Sequence, residues 1–159
     1  AALESSFQNE RIVCFVLQKN SKLNEPTPAE LYSIGTLSKI ERMIRSDGEI
    51  NAQVKGISRV KILSYEPHEQ FLLAKVKELF DEIDDSPEIK ALCNHITNQF
   101  KKAINLGKSV DFLAFMNIMS DNSPSELADL ISSVLDVKPV NRQELLEMTN
   151  VKERLEKIS

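Results

Sequence analysis

The sequence has few of the residues on which catalytic and cofactor sites are usually built. Its four glycines stand singly at positions 35, 48, 56 and 107, so it lacks the glycine-rich loop that cradles nucleotide phosphates. Its two histidines, His68 and His95, lie far apart, and its two cysteines, Cys14 and Cys93, share no zinc-binding spacing. These absences argue against nucleotide hydrolysis and against a zinc site.

A nucleophile with a neighbouring base is also missing. Cys93 and His95 stand two residues apart in a helical pattern, and side chains at that spacing point in different directions. The acidic run at 81–85 lacks the alternating ligands and the central glycine of a calcium loop, which favours a solvated linker. We therefore expect no catalytic residue, no metal and no cofactor of its own in this chain.

Charge and hydropathy limit the possible partners. The net charge of −4 gives no basic footprint for nucleic acid, and no apolar run is long enough to cross a bilayer. The first ten residues lack the basic and apolar regions of a signal peptide, and two unpaired cysteines are typical of a reducing compartment. A start at Ala1 without Met suggests a piece of a longer protein. Since 42% of the residues are hydrophobic, we expect a folded core.

Strand signals dominate the first half of the chain. The apolar run at 11–18 predicts a strand buried on both faces, and Asp47-Gly48, followed by alternating apolar residues, predicts a hairpin. The hairpin requires a strand before it, from about Gly35, although the apolar residues at 31–44 recur at helical spacing. Gly56 is expected to interrupt the next strand, which resumes at 59–65. The pattern at 72–80 fits a helix or a strand, and both stay open.

The second half shows helical signals after a junction at 81–87. Ser86 with Pro87 starts one helix that ends near Gly107, and 110–118 predicts a short one. Three further starts pair a cap residue with an acidic residue three positions later: Ser123 with Glu126, Asn141 with Glu144, and Asn150 with Glu153. We therefore expect a bundle of helices.

Two separated sets of motifs resemble the N-terminal domain of Lon proteases. The segment EPTPAELYSIGTLSKIERMIRSDGEINAQVKGISRVKI carries one set, and ELADLISSVL with RQELLEMTNVKERLEKI carries the other. The matching positions are Leu31, Tyr32, Gly35, Thr36, Ile40, Gly48, Gly56, Arg59, Ile62, Ala128, Asp129, Gln143, Leu146, Glu147, Val151, Arg154 and Leu155. Family members usually begin with an LPLRD strand segment, and this chain starts after it. They continue past the final helix into a connector, an AAA+ module and a protease with a Ser-Lys pair, none of which is here.

The resemblance implies an α+β fold in two parts. A PUA-like β subdomain of two small sheets and a helix would occupy 1–82, without its first strand segment, and a helical bundle leading toward the connector would occupy 83–159. The implied role is substrate recognition and assembly in a homohexameric, ATP-dependent serine protease that degrades misfolded and degron-bearing proteins. ATP and Mg would belong to the absent domains. The implied location is the bacterial cytoplasm, with the mitochondrial matrix as the alternative.

Two other functions stay open on the sequence. A stand-alone protein with the same fold could bind a ligand or partner without an attached protease, and an enzyme could act within these residues. The length of the encoding gene discriminates among them. For the recognition role, the candidate substrate-binding residues are Leu31, Tyr32, Met43 and Ile44, which flank a loop or the hairpin, with core packing as the alternative for each.

Overall fold

The computed structural model describes residues 1–83 and 86–159 and has an α+β architecture. It divides into two compact units, Ala1–Phe80 and Asp81–Ser159, called here the β unit and the helical unit. The sequence placed the boundary at 82/83. The β unit contains α1 (Ala2–Gln8), β1 (Ile12–Gln18), a 3-10 turn (Pro28–Glu30), β2 (Leu31–Ser46), β3 (Glu49–Glu66) and β4 (Leu73–Leu79). The helical unit contains α2 (Pro87–Asn105), α3 (Phe112–Met119), α4 (Pro124–Val134), α5 (Pro139–Glu147) and α6 (Val151–Ile158).

The α+β class is confirmed, with a difference in the strands. The strands of the described residues form one antiparallel sheet of order β1-β2-β3-β4, whereas two small sheets were expected. The reason is the length of β2 and β3, at 16 and 18 residues, whose three register shifts bend the ladder without ending it. The stretch at 72–80, for which the sequence fits a helix or a strand, is a strand over Leu73–Leu79, because that part pairs with β3. Ile40 and Val60 are fully buried in this unit.

The hairpin predicted at Asp47-Gly48 is confirmed. Asp47 and Gly48 have φ of 52° and 82°, the two positive values that a tight turn between twisted strands requires. The strand before the turn begins at Leu31, earlier than Gly35, because ladder pairing reaches back to that residue. Pairing between strands therefore overrides the helical spacing of the apolar residues at 31–44.

Strand β1 is not buried on both faces, and that prediction was wrong. It lies at one edge of the sheet, none of its residues is fully buried, and Phe15 is 41% exposed. An apolar run cannot reveal that a strand lacks a neighbour on one side. Gly35 of β2 lets β1 approach closely, because a Cβ atom there would collide with the carbonyl oxygen of Phe15.

The helical unit has a contiguous apolar core. Its buried members come from α2, α3, α4 and α6: Ile89, Ile96, Ile118, Leu127, Ala128, Ile131, Val151 and Leu155. These residues recur at helical spacing along their elements, as an amphipathic pattern requires. The bundle is therefore held mainly by burial of one face of each helix.

The helix starts show where cap signals are reliable. Ser123 and Asn150 accept hydrogen bonds from the backbone N–H of Glu126 and Glu153, as predicted. Ser86 holds the N-cap position of α2, but its side chain makes no capping bond. The prediction for Asn141 was wrong, because α5 already begins at Pro139, where proline has the φ that a first helical residue needs. Asp111 caps α3, which the sequence analysis missed.

Ser123→Ala is expected to lower the free energy of unfolding by about 1 kcal/mol. The backbone N–H of Glu126, which has no partner within the helix, would lose the Ser123 hydroxyl as its acceptor. Asn141→Ala is the matched control. Asn141 lies inside α5, where alanine has the higher helix propensity, so we expect no loss. Denaturant unfolding measures both, and an equal loss in the two variants would contradict the cap assignment.

The same cap is sensitive to pH. Hydrogen bonds from the backbone N–H and hydroxyl of Ser123 hold the pKa of the Glu126 carboxyl below its usual value. A carboxyl whose pKa is lower in the folded state stabilises that state above its unfolded pKa. This contribution is lost as pH falls through the folded pKa, so the effect of Ser123→Ala should shrink in acid.

Candidate functional site

The four predicted site residues lie at two ends of one strand. Leu31 and Tyr32 open β2 and are half-buried, with Leu31 opposite Gln18 of β1. Met43, also half-buried, and Ile44, 53% exposed, lie close to the hairpin turn. At a rise of about 3.3 Å per residue, the two pairs are separated by about 40 Å along β2. The structure therefore does not bring the four together, and Ile44 is the most accessible of them.

Another candidate is a set of large aliphatic side chains that stay exposed along the hairpin strands. It consists of Ile44 on β2 with Val54, Ile57 and Leu63 on β3, and we call these four residues the apolar β2–β3 surface. Their exposed fractions are 53%, 40%, 51% and 60%. Ile57 and Leu63 stand six residues apart on β3, about 20 Å along the strand, whereas Ile44 pairs with Asn51, twelve residues before Leu63. Large aliphatic side chains that stay exposed on a folded unit are candidate contacts for a binding partner.

Two of these residues are exposed because of β-bulges. Ser38 pairs with Gly56 while Leu37 pairs with Ser58, which leaves Ile57 outside the ladder. The shift between Ile62 and Ser64 likewise leaves Leu63 without a partner strand residue. A bulge bends the strand and re-aims its side chain. The predicted break at Gly56 is thus a bulge inside a continuous strand.

The sequence analysis missed Ile57 and Leu63, although the sequence carries a signal. A strand with one buried face alternates strictly, and a break in that alternation suggests a bulge. Val54 and Ile57 are three positions apart, whereas strict alternation gives a spacing of two or four. Ile62 and Leu63 are adjacent apolar residues. Both irregularities coincide with register shifts in the ladder.

The two cysteines of the chain are poor candidates for a nucleophile. Burial raises the pKa of the thiols of Cys14 and Cys93, so both are neutral at pH 7 and poor nucleophiles. Both cysteines are unpaired. Within 1–83 and 86–159, no group of three or more His, Cys, Asp or Glu side chains could hold a metal ion. The helices in the same residues include none that is both long and apolar enough to span a bilayer.

A charged cluster lies inside the helical unit, centred on the fully buried Arg154. Its Nη2 donates to Oδ2 of Asp81 at 2.8 Å and to Oγ of Ser125 at 3.3 Å, and the Ser125 hydroxyl donates to Asp81. Its Nη1 lies 3.3 Å from Oδ1 of Asp129, without hydrogen-bond geometry. The cluster ties α4 and α6 to the segment that precedes α2.

The expectation that 81–85 is a solvated linker was therefore wrong for Asp81, whereas the side chain of Glu82 is exposed. The Asp81 side chain is only 14% exposed, and the backbone of Glu82 bonds to that of Thr149 and Val151. Asp84 and Asp85 lie outside the described residues. One signal could have revealed the cluster: Arg154 stands in the apolar stripe of α6, between Val151 and Ile158. An arginine at a core position requires a buried carboxylate partner.

Comparison with known proteins gives concordant results. A family model for the substrate-binding domain of ATP-dependent protease La (LON) matches residues 1–159. A Lon protease of Clostridium acetobutylicum is 35% identical over 159 residues, and one of Azospirillum brasilense is 32% identical over 158 residues. Each match covers 99% of this chain and 20% of the relative, so the chain spans about one fifth of the length of these curated relatives.

Solved structures agree in fold. The N-terminal domain of a Mycobacterium avium complex Lon protease has a TM-score of 0.60 at 23% identity, covering 92% of this chain and 87% of that one. A Lon N-terminal domain protein from Xanthomonas campestris has a TM-score of 0.58 at 16% identity, covering 92% and 74%. At these identities the likeness concerns the fold alone.

Proposed function

Because the chain belongs to the family of Lon protease substrate-binding domains, we propose that it captures unfolded or degron-bearing polypeptides through the apolar β2–β3 surface. The observation that carries this proposal is the exposure of Ile57 and Leu63, which two bulges turn out of the ladder. Apolar burial is non-directional, so it accepts many sequences, as a recognition domain for unfolded proteins must. Such contacts should depend little on salt.

In the parent protein, recognition would precede unfolding and cleavage by other domains. We propose an ATP-dependent AAA+ serine protease in the bacterial cytoplasm, whose six subunits each present one such surface. Linking several weak sites raises the effective concentration of the second contact after the first has formed. A single chain should therefore bind weakly, with micromolar or weaker affinity, while the assembly binds well.

The isolated chain is expected neither to hydrolyse ATP nor to cleave an unfolded substrate such as casein. It has no phosphate-binding loop, and burial keeps its two thiols neutral. Phosphate release and fragment formation measure the two activities. Activity that copurifies with the chain through repeated chromatography would contradict this prediction.

A crosslinking map tests the proposal. A permanently unfolded polypeptide carrying photoreactive groups is irradiated with the chain, and the crosslinked positions are found by mass spectrometry. We expect crosslinks near Ile44, Val54, Ile57 and Leu63, which are the four residues of the apolar β2–β3 surface. Crosslinks spread evenly over the β unit, or absent from it, would contradict the proposed surface.

A further inference from the structure

The helical unit contains an apolar depression, distant in sequence from the hairpin. It has a volume of about 510 Å³ and lies among α2, α4, the chain after α2 and the end of α6. Its apolar walls come from Ile96, Phe100, Ala103 and Ile104 of α2, together with Ile131 and Val134 of α4. We call this depression the α2–α4 groove.

Part of the groove lining follows a turn at a glycine. Gly107 has φ of 90°, a value that residues with a side chain rarely adopt. It follows the end of α2, where the backbone N–H of Gly107 donates to the carbonyl of Ile104 and the N–H of Lys108 donates to that of Ala103. The chain turns at Gly107, and Lys108, Ser109 and Val110 after the turn also line the groove. Phe112 and Leu113, which follow this segment along the chain, are 76% and 67% exposed.

The groove also has polar atoms suited to a peptide backbone. Gln99, Lys108 and Asp136 lie in its lining, where they supply an amide, an amine and a carboxylate. A polypeptide that buries apolar side chains must keep its own N–H and C=O groups hydrogen-bonded. Apolar walls with both donors and acceptors are therefore complementary to an extended peptide segment, more than to a hydrocarbon ligand.

The size of the groove favours a peptide over a second copy of the chain. Pockets of about 300–1,000 Å³ hold ligands of drug size, equivalent to a few side chains. A stable dimer instead buries about 1,200–2,000 Å² over a broad interface. We propose that the α2–α4 groove is a second binding site for substrate polypeptide, taking a short segment rich in large apolar residues such as Leu and Phe.

This inference rests on the proposed function and adds a site to it, so its test must separate the two. The probe is a short fluorescent peptide rich in Leu and Phe, and a peptide of Ser and Gly is its control. Ala103→Leu fills the groove, and Ile104→Gln adds a polar group to its wall. Lys102→Gln is the matched control, because Lys102 is exposed on the same helix and does not line the groove. Circular dichroism confirms that each variant folds.

Anisotropy titrations should show a fall in peptide affinity of about fivefold or more for both groove variants, and no change for Lys102→Gln. Methyl NMR shifts at Ile96, Ile104 and Ile131 should follow the titration. If only Ile57 or Leu63 variants weaken binding, the proposed function stands and the groove inference is wrong. If no unfolded polypeptide binds at all, the proposed function is wrong. An apparent molecular mass that rises with protein concentration, and does not rise in the Ala103→Leu variant, would identify a second copy of the chain as the occupant. That result would also overturn the inference.

Discussion

Asp81→Ala is expected to lower the free energy of unfolding of the helical unit by about 3 kcal/mol or more, the largest effect of any single change considered. Asp81 accepts from the guanidinium of Arg154, which is fully buried and cannot recover water when its partner is removed. Asp129 remains, but it is 46% exposed and its contact to Nη1 lacks hydrogen-bond geometry. The buried cation would therefore be left undercompensated.

Lys157→Ala provides the matched control for this prediction. Lys157 donates to Glu144 at 2.6 Å from the same helix, α6, but both side chains are more than 40% exposed. Exposed pairs contribute about 0.2–1 kcal/mol, so the control should lose little. Chemical denaturation followed by far-ultraviolet circular dichroism reports mainly the helical unit. Equal losses in the two variants would contradict the view that the Arg154 cluster holds this unit together.

The second large effect concerns binding. The double variant Ile57→Gln with Leu63→Gln should weaken binding of an unfolded polypeptide by at least about tenfold, because each side chain would lose roughly half of the 1.5–3 kcal/mol that full aliphatic burial provides. Both residues are half exposed and stand outside the ladder, so their replacement should spare the fold. Equilibrium titration with a labelled unfolded protein measures the change.

Lys61→Gln is the control for the double variant. Lys61 is exposed on the same strand, between the two bulges, and its replacement removes charge without removing apolar surface. We expect its affinity to match that of the unaltered chain. A larger loss for Lys61→Gln than for the double variant would mean that charge, and not apolar contact, governs recognition.

The fold was predictable where a signal was local. The turn at Asp47-Gly48 requires positive φ, and the cap at Ser123 requires only its own helix, so a few residues determine each feature. Features that depend on distant partners were not predictable. The edge position of β1 and the pairing of Asp81 with Arg154, 73 residues apart, are decided by tertiary contacts.

The candidate site shows the same contrast between features that depend on local sequence and features that depend on distant partners. Ile44 was proposed from its place beside the hairpin turn; it is exposed, and its role stays a prediction. Ile57 and Leu63 depend on register shifts between strands, which an apolar pattern suggests only indirectly. The sequence placed most of the apolar residues of the α2–α4 groove on the buried face of their helices. An apolar residue that lines a groove recurs at the same helical spacing as one in the core, so the pattern cannot distinguish them.

The most direct test of the central claim is a titration of a labelled unfolded protein with the isolated chain at low and high salt, without ATP. We expect weak binding, with a dissociation constant in the micromolar range or above, that changes little between the two salt concentrations, because apolar burial is not screened by ions. Binding that collapses as salt rises would show that charged contacts carry recognition, and would contradict the account.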